Sequence, residues 1–198
     1  MKTKQLLFCA LFAAVTAASV FLPKVPLPGT TIMFTFQTLA VFITGLMLKP
    51  KYAFTAQLVY MALGLIGLPV FMNPSVAGIA YVLQPTFGFI IGFAVCAFLV
   101  SLLVRKQIFA LYDADSATEK RLVYFKIVVF ALISIFAMYV IAIIYMYLIN
   151  TLYMGKEASI FATAAAMGVF VLMDIVKFVL AVLLGIAVMK RMRGLLET

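Results

Sequence analysis

The sequence predicts an all-α membrane protein in which a single domain, residues 1–198, forms a six-transmembrane-helix bundle with both termini in the cytoplasm. Hydrophobic residues make up 67% of the 198 residues, more apolar surface than a soluble domain of this size could hide from water. The apolar runs have room for about six helices of roughly 20 residues. With six crossings, only Lys24 and Lys156 among the basic connection residues lie opposite the termini, and this bias places the termini inside.

Composition also limits the chemistry that the chain can perform. It contains no histidine, which excludes the common histidine-based catalytic and zinc sites. Cys9 and Cys96 lie in apolar runs, where cysteine behaves as a small hydrophobic residue. We therefore expect no catalytic residue, no metal site and no cofactor in this chain. The net charge is +9, and the Lys and Arg residues lie at the ends of the spans. We therefore expect the anionic partner to be the lipid bilayer and not a nucleic acid.

The first predicted helix covers residues 5–22, an uncharged run that follows Lys2 and Lys4. A secretory signal peptide is the alternative, but it would have a shorter apolar region followed by a soluble domain. Alanines recur here every four residues, a spacing that lets another helix approach closely. Contact within the chain and contact with another subunit are both open interpretations. The alanines are Ala10, Ala14 and Ala18, with Ala13 and Ala17 beside them.

Two further helices are predicted at residues 35–48 and 52–67. Three prolines and a glycine in residues 23–34 exclude a regular helix there and indicate a stiff loop. A Lys-Pro-Lys sequence at 49–51 forms a tight turn between the two helices. Gln37 is the one strongly polar side chain at the start of the second helix.

The segment 67–89 is irregular and uncharged, with several Gly and Pro residues. Asn73 and Gln84 are its polar landmarks. Irregular backbone at a membrane is either buried in protein or lines a wet cavity. An ordinary extracellular loop is the alternative, but the Val, Phe, Met and Tyr content favours a loop folded back over a pocket. The fourth helix is predicted at 86–104.

The hydrophilic connection 105–121 leads into the fifth helix. Ser116 and Glu119 have the spacing of a capping box, which predicts a helix over 117–148. A loop or short interfacial element follows, and the sixth helix is predicted at 165–189.

The sixth helix carries one acid, Asp174, and one base, Lys177. They are three positions apart, which is the same helix face. A charge at membrane depth costs at least about 2.5–3.5 kcal/mol on insertion scales, so such residues usually face a bundle interior or a cavity. A rise of about 1.5 Å per residue places both, and Gln37, in the outer half of the membrane. The sequence therefore predicts a ligand site beneath the 67–89 loop; the alternative is that Asp174 and Lys177 only pair with each other.

Four segments carry a specific combination of motifs. They are FTFQTLAVFITG (34–45), GLIGLPVF (64–71), YVLQPTFGFIIGF (81–93) and DIVK (174–177). In order and spacing they resemble the BioY family, the biotin-binding S-components of energy-coupling factor (ECF) vitamin transporters. Gln84 and Phe87 depart from that pattern, which often has glycine at both positions.

The resemblance implies an S-component in the bacterial plasma membrane that binds biotin from outside. It would join a transmembrane scaffold (T) subunit and two ABC ATPase subunits, whose ATP hydrolysis drives reorientation and release of biotin inside. S-components of this kind dock through the alanine face of helix one, which favours the intersubunit interpretation of that face. The sequence has no GxxxxGK[ST] phosphate loop, so ATP would be used by the partner subunits.

The resemblance also implies roles for the polar residues, because the ureido ring of biotin offers two N–H groups and one carbonyl. Asp174 and Asn73 are candidates for accepting the N–H groups, and Gln37 or Gln84 could donate to the carbonyl. Lys177 either binds the carboxylate of biotin or holds Asp174 ionised. The candidates for packing against the apolar ring are Phe36, Tyr81 and Phe71.

Two rival functions share parts of this pattern. An S-component for another small vitamin would keep the fold but change the 67–89 loop and the polar residues of the sixth helix. An intramembrane enzyme would need a second buried acid or a nucleophile–base pattern, and the sequence has neither. We therefore predict a transport protein and not an enzyme.

Overall fold

The computed structural model describes residues 3–26, 33–73, 76, 78–157 and 159–196. Within them the chain forms eight α-helices, most of which pack side by side as a bundle. Their bounds are α1 Thr3–Ala18, α2 Gln37–Met47, α3 Pro50–Leu65, α4 Phe87–Leu99, α5 Arg105–Asp113, α6 Ala117–Leu148, α7 Ile160–Ala166 and α8 Gly168–Leu196.

A short hairpin departs from the all-helical expectation. Strand β1, Val25–Pro26, pairs antiparallel with strand β2, Met33–Phe34. Both strands fall in the predicted loop 23–34, where proline prevents a helix and allows extended backbone. Residues 27–32 of that loop lie outside the described residues.

The α1 helix separates its alanines into two faces. Ala13 and Ala17 are buried against the rest of this chain, together with Cys9 and Thr16. The other three alanines, Ala10, Ala14 and Ala18, are exposed. Only Ala10, Ala14 and Ala18 are accessible to another subunit. The predicted intersubunit face therefore consists of these three alanines and not of all five.

The bounds of α2, α3 and α4 differ from those of the second, third and fourth predicted helices. α3 begins at Pro50, since proline suits the first helical turn. It ends before Gly67, whose φ of 108° is left-handed. The helix predicted at 86–104 continues past residue 104: α4 ends at Leu99, and a π-helical turn, Val100–Val104, leads directly into α5. α5 remains helical because its apolar side chains are buried, so the hydrophilic connection shortens to residues 114–116.

The capping box forms as the sequence predicts. Ser116 accepts a hydrogen bond from the backbone N–H of Glu119 at 3.1 Å, and the Glu119 carboxylate accepts from the backbone N–H of Ser116 at 3.3 Å. α6 therefore begins at Ala117 and continues into a π-helical turn, Ile149–Tyr153. The predicted sixth helix corresponds to α8, and the short helix α7 lies mostly in the segment predicted as a loop or short interfacial element; the two helices meet at Met167.

Four helical segments of the described chain are long and apolar enough to cross a membrane. They are Thr3–Phe21, Phe87–Asp113, Ala117–Tyr153 and Gly168–Arg191. α2 and α3 are shorter, with 11 and 16 residues. α2 packs chiefly against α8 and α4, and α3 against α4 and α1. α2 is therefore held against α8, and this contact places the polar side chains described next.

Candidate ligand-binding site

The carboxylate of Asp174 is the centre of a buried polar cluster. Asp174 is only 3% exposed. Its Oδ1 accepts hydrogen bonds from Thr38 Oγ1 and Lys177 Nζ, both at 2.7 Å, and its Oδ2 accepts one from the Tyr139 hydroxyl at 2.8 Å. Helices α2, α6 and α8 therefore each supply a donor to one carboxylate.

Lys177 contacts two members of this cluster and an aromatic ring. Its ammonium pairs with Asp174 and also donates to Thr38 Oγ1 at 2.8 Å. It lies 4.0 Å from the centre of the Phe34 ring, a cation–π contact with the β1–β2 hairpin. A buried charge is tolerated only when it is paired and hydrogen-bonded, and Lys177 meets both conditions. The predicted pairing of the acid and the base is thus present, and it is part of a larger network.

The network leaves hydrogen-bonding capacity for a ligand. An ionised carboxylate can accept about four hydrogen bonds, and an ammonium can donate three. Asp174 Oδ2 receives one bond in this structure, and Lys177 donates two. One acceptor site on Oδ2 and one N–H of Lys177 are therefore not used in hydrogen bonds among the described residues, although the ammonium also contacts the Phe34 ring.

Both residues line a pocket that holds about 510 Å³ of empty space, part of it open to solvent. Small-molecule sites usually combine apolar walls with a few polar groups. The walls here are mainly aromatic and aliphatic. The lining residues are Met33, Phe34, Thr35, Gln37, Thr38, Met72, Tyr81, Thr86, Phe89, Ile90, Phe93, Tyr139, Phe170, Asp174 and Lys177.

Gln37 joins the pocket to the irregular loop. It is 2% exposed, and its Nε2 donates to the Tyr60 hydroxyl at 2.5 Å. Tyr60 in turn donates to the backbone carbonyl of Val70 at 3.1 Å. The polar end of α2 is therefore tied through α3 to the segment that follows it.

An aromatic cluster holds that segment over the pocket. Phe71 packs against Tyr81 with ring centroids 4.4 Å apart and against Tyr60 at 5.7 Å. Tyr81 is fully buried, and its hydroxyl forms hydrogen bonds with Thr86 and with the backbone N–H of Asn73. Burial raises the pKa of Tyr81, so its phenol stays neutral and can serve as a hydrogen-bond donor. The uncharged 67–89 segment thus folds inward because its aromatic side chains have a core to enter.

Two of the predicted aromatic residues stand behind the pocket wall. Phe71 is 1% exposed and is absent from the lining. Its ring fills the space beside Gly64, where any Cβ would overlap it. Phe36 packs edge-on against Phe34, with ring centroids 5.7 Å apart, and Phe34 is the ring that reaches the pocket.

Asn73 and Gln84 line a neighbouring recess and not the Asp174 pocket. This outer recess also contains two cations, Lys24 and Lys156. Lys24 Nζ donates to the backbone carbonyl of Met72 at 2.8 Å, which ties the residues before the hairpin to the 67–89 segment. Three residues line both spaces, namely Met33, Met72 and Thr86. The predicted polar set is therefore divided between a deep pocket and an outer recess that adjoin.

Sequence reasoning missed Thr38, Tyr139 and Phe34 as site residues. Thr38 directly follows Gln37, but threonine in an apolar helix commonly bonds its own backbone, so it gave no separate signal. Tyr139 is one of several tyrosines along α6, and only the packing of α6 near α8 selects it. Phe34 reaches the pocket because it lies in the β1–β2 hairpin, and the proline-rich sequence did not predict that hairpin. Within the described residues, no group of three or more Cys, Asp and Glu side chains is placed to hold a metal ion.

The fold defines the class of protein. The crystal structure of the S-component for biotin from an ECF-type ABC transporter superposes with a TM-score of 0.76. The match covers 96% of this chain and 92% of that one, at 22% sequence identity. This chain therefore has the ECF S-component fold.

The sequence then identifies the family. The family model for the BioY family matches residues 1–194, and the chain belongs to the BioY family, which confirms the resemblance seen in the motifs. The biotin transporter BioY of Rhizobium etli is 30% identical over 191 residues, covering 96% of this chain and 95% of that protein. The probable biotin transporter BioY of Lysinibacillus sphaericus is 40% identical over 136 residues, which span 69% of this chain and 62% of the relative.

Proposed function

We propose that this chain is the biotin-specific S-component of an ECF vitamin uptake transporter. The observation that carries the proposal is the Asp174–Lys177 pair, which lines an apolar pocket with an acceptor site on Asp174 Oδ2 and a cationic donor on Lys177. A ureido group presents an N–H donor next to a carbonyl acceptor, which is the complementary arrangement. The relatives are named as biotin transporters, which supports biotin over another small vitamin.

The two adjoining spaces suggest how biotin is oriented. The ureido N–H would donate to Asp174 Oδ2, and the ureido carbonyl would accept from Lys177 or from Gln37. The apolar ring would pack against Phe34 and Tyr81 of the deep pocket. The carboxylate tail would extend into the outer recess, where the amides of Asn73 and Gln84 stand with two lysines. This arrangement supports Lys177 as a ureido ligand and leaves the carboxylate to the outer recess.

The topology that fits this function has six transmembrane helices and cytoplasmic termini. α2 and α3 are short, but both contribute many buried residues to the bundle. The cations of the outer recess are Lys24 and Lys156, the two basic residues that a six-span chain leaves on the outer side. The charge bias therefore supports an outward-facing pocket in the bacterial plasma membrane.

The transport partners are a transmembrane scaffold subunit and two ABC ATPases. The exposed face formed by Ala10, Ala14 and Ala18 supports scaffold docking, because small residues allow close helix approach within the bilayer. ATP would be consumed by the ATPases, and this chain would need no cofactor. Biotin captured outside would be released inside when the complex reorients the S-component.

A vitamin panel tests the specificity. The purified, detergent-solubilised chain is titrated with biotin, thiamine, riboflavin and nicotinic acid by calorimetry. Biotin alone is expected to bind, because a site with buried polar groups rejects ligands that leave them unpaired. Binding of another vitamin in place of biotin, by a chain that remains monodisperse, would overturn the assignment and favour a different S-component specificity.

A further inference from the structure

A long apolar groove runs between α6 and α8. Its floor is buried, with Ile127, Ile135 and Phe178 all 5% exposed or less. Its rims are exposed, with Val128 at 56% and Leu183 at 60%. The groove exists because α6 packs mainly on α4 and α8 mainly on α2, so α6 and α8 touch little directly. It holds about 770 Å³ of empty space, including the part open to solvent.

A basic recess lies at one end of this groove. It is lined by Leu111, Tyr112, Ala114, Lys120 and Lys190, which bring together the ends of α5, α6 and α8. Lys120 and Lys190 are both exposed, and within the described part of the chain neither forms an ion pair. Three acids are close in sequence: Glu119 is used by the capping box of α6, and Asp113 and Asp115 flank the lining residue Ala114.

The recess and the groove are adjacent along the helices. Lys120 precedes the groove residue Tyr124 by one helical turn, and Lys190 follows the groove residue Ile186 by one turn. The Tyr112 hydroxyl of the recess donates to the backbone carbonyl of Ile186 at 2.6 Å. Two cations therefore stand where an apolar channel ends.

We propose that this groove and recess bind one anionic phospholipid. The acyl chain lies in the α6–α8 groove, and the phosphate group lies between Lys120 and Lys190. The combination fits a lipid because it pairs a long, nearly uncharged channel with positive charge at one end only. Basic pockets between membrane helices commonly bind anionic head groups. A partner helix packing along the groove would have no need of two exposed cations at its end.

The test uses the full-length chain in detergent and native mass spectrometry. Dioleoyl phosphatidylglycerol is titrated beside dioleoyl phosphatidylcholine, which has the same acyl chains and no net charge. The variant is Lys120→Gln/Lys190→Gln. The matched control is Lys49→Gln/Lys51→Gln, which removes the same charge at the turn between α2 and α3. Glycerol 3-phosphate is added as a soluble competitor with the same phosphate chemistry.

The wild type is expected to retain phosphatidylglycerol at least about tenfold better than phosphatidylcholine, because each basic residue near a lipid surface contributes about 1 kcal/mol. That preference should disappear in Lys120→Gln/Lys190→Gln and persist in the control. Glycerol 3-phosphate at the same concentration should not displace the lipid, since it lacks the acyl chain.

Four results would overturn the proposal. Equal retention of both lipids would remove the charge selectivity, and an equal loss in the two variants would show a general charge effect. Displacement by glycerol 3-phosphate would show a site for soluble anions. Loss of a co-purified transporter subunit in Lys120→Gln/Lys190→Gln, without lipid selectivity in the wild type, would assign the groove to a protein partner.

Discussion

The hydroxyl of Tyr139 on α6 donates a hydrogen bond of 2.8 Å to Oδ2 of Asp174 on α8. This contact joins two helices that otherwise touch little, and it fixes the direction in which the carboxylate faces the pocket. It also sits on the same oxygen that has an acceptor site left for a ligand. Tyr139 is therefore a positioning residue for the carboxylate that we propose binds the ligand.

Tyr139→Phe is expected to weaken biotin binding by about tenfold to a hundredfold, because a hydrogen bond to a charged group is worth about 1.5–3 kcal/mol. Calorimetric titration measures the change. Tyr124→Phe is the matched control, since Tyr124 is exposed on the same helix and should leave affinity unchanged. Unaltered affinity in Tyr139→Phe would show that the carboxylate keeps its orientation without this donor.

The ion pair of Asp174 and Lys177 predicts a non-additive stability pattern. Lys177→Met should destabilise the protein by about 3–5 kcal/mol, because it leaves a buried carboxylate without its cation. The double variant Asp174→Asn/Lys177→Met should be clearly more stable than Lys177→Met alone. Thermal unfolding of the two single variants and the double variant in detergent gives the coupling. Strict additivity would show that the two charges are stabilised independently.

A substitution at Gly64 tests whether the packing of the Phe71 ring stabilises the aromatic cluster. Gly64→Ala should lower the unfolding temperature and weaken biotin binding, because the new methyl group displaces the Phe71 ring that packs on Tyr81. Overpacking of this kind typically costs about 1–3 kcal/mol. Gly168→Ala is the control, since a Cβ there meets nothing within 4 Å. Equal effects from the two substitutions would mean that the close packing of Phe71 is not what holds the loop.

Orientation can be read from cysteine accessibility, because both native cysteines are buried. In intact cells a membrane-impermeant maleimide should label Lys156→Cys and should leave Lys51→Cys unlabelled until the cells are opened. Both positions are exposed in the structure, so accessibility within the protein does not separate them. Labelling of Lys51→Cys in intact cells would contradict the six-span topology.

Ala14→Leu separates docking from ligand binding. The substitution should reduce co-purification of the scaffold subunit and cellular biotin uptake, because the larger side chain blocks close helix approach at an exposed position. Biotin binding by the isolated chain should be unchanged. Ala187→Leu makes the same change at an exposed alanine of α8 and should affect neither property. If the two variants behave alike, the α1 face is not the docking surface.

The sequence was most informative where single residues carry a strong physical signal. Asp174 and Lys177 could be found because two charges in an apolar helix need partners. The capping box predicted the start of α6 because Ser116 and Glu119 satisfy the backbone locally. The family could be recognised from four motif segments because their order and spacing are specific in combination.

Packing decided what the sequence could not. Nothing in the local sequence distinguishes Tyr139 from the other tyrosines of α6. Asn73 and Gln84 lie outside the deep pocket because of the way the 67–89 segment folds, which the sequence alone does not give. The continuation of α4 into α5 was missed because its charged residues suggested a loop. That helix persists because Ile108 and Leu111 find buried positions, which is a tertiary effect.

The most direct test of the central claim is a titration of biotin into the purified wild-type chain and into Asp174→Asn. The amide keeps the size of the carboxylate but loses its charge and exchanges an acceptor oxygen for a donor. We expect the wild type to bind biotin and Asp174→Asn to lose about a hundredfold or more in affinity, since the buried polar group is then mismatched with the ureido N–H. Biotin binding of equal strength in both proteins would contradict the assignment of the Asp174 pocket as the biotin site.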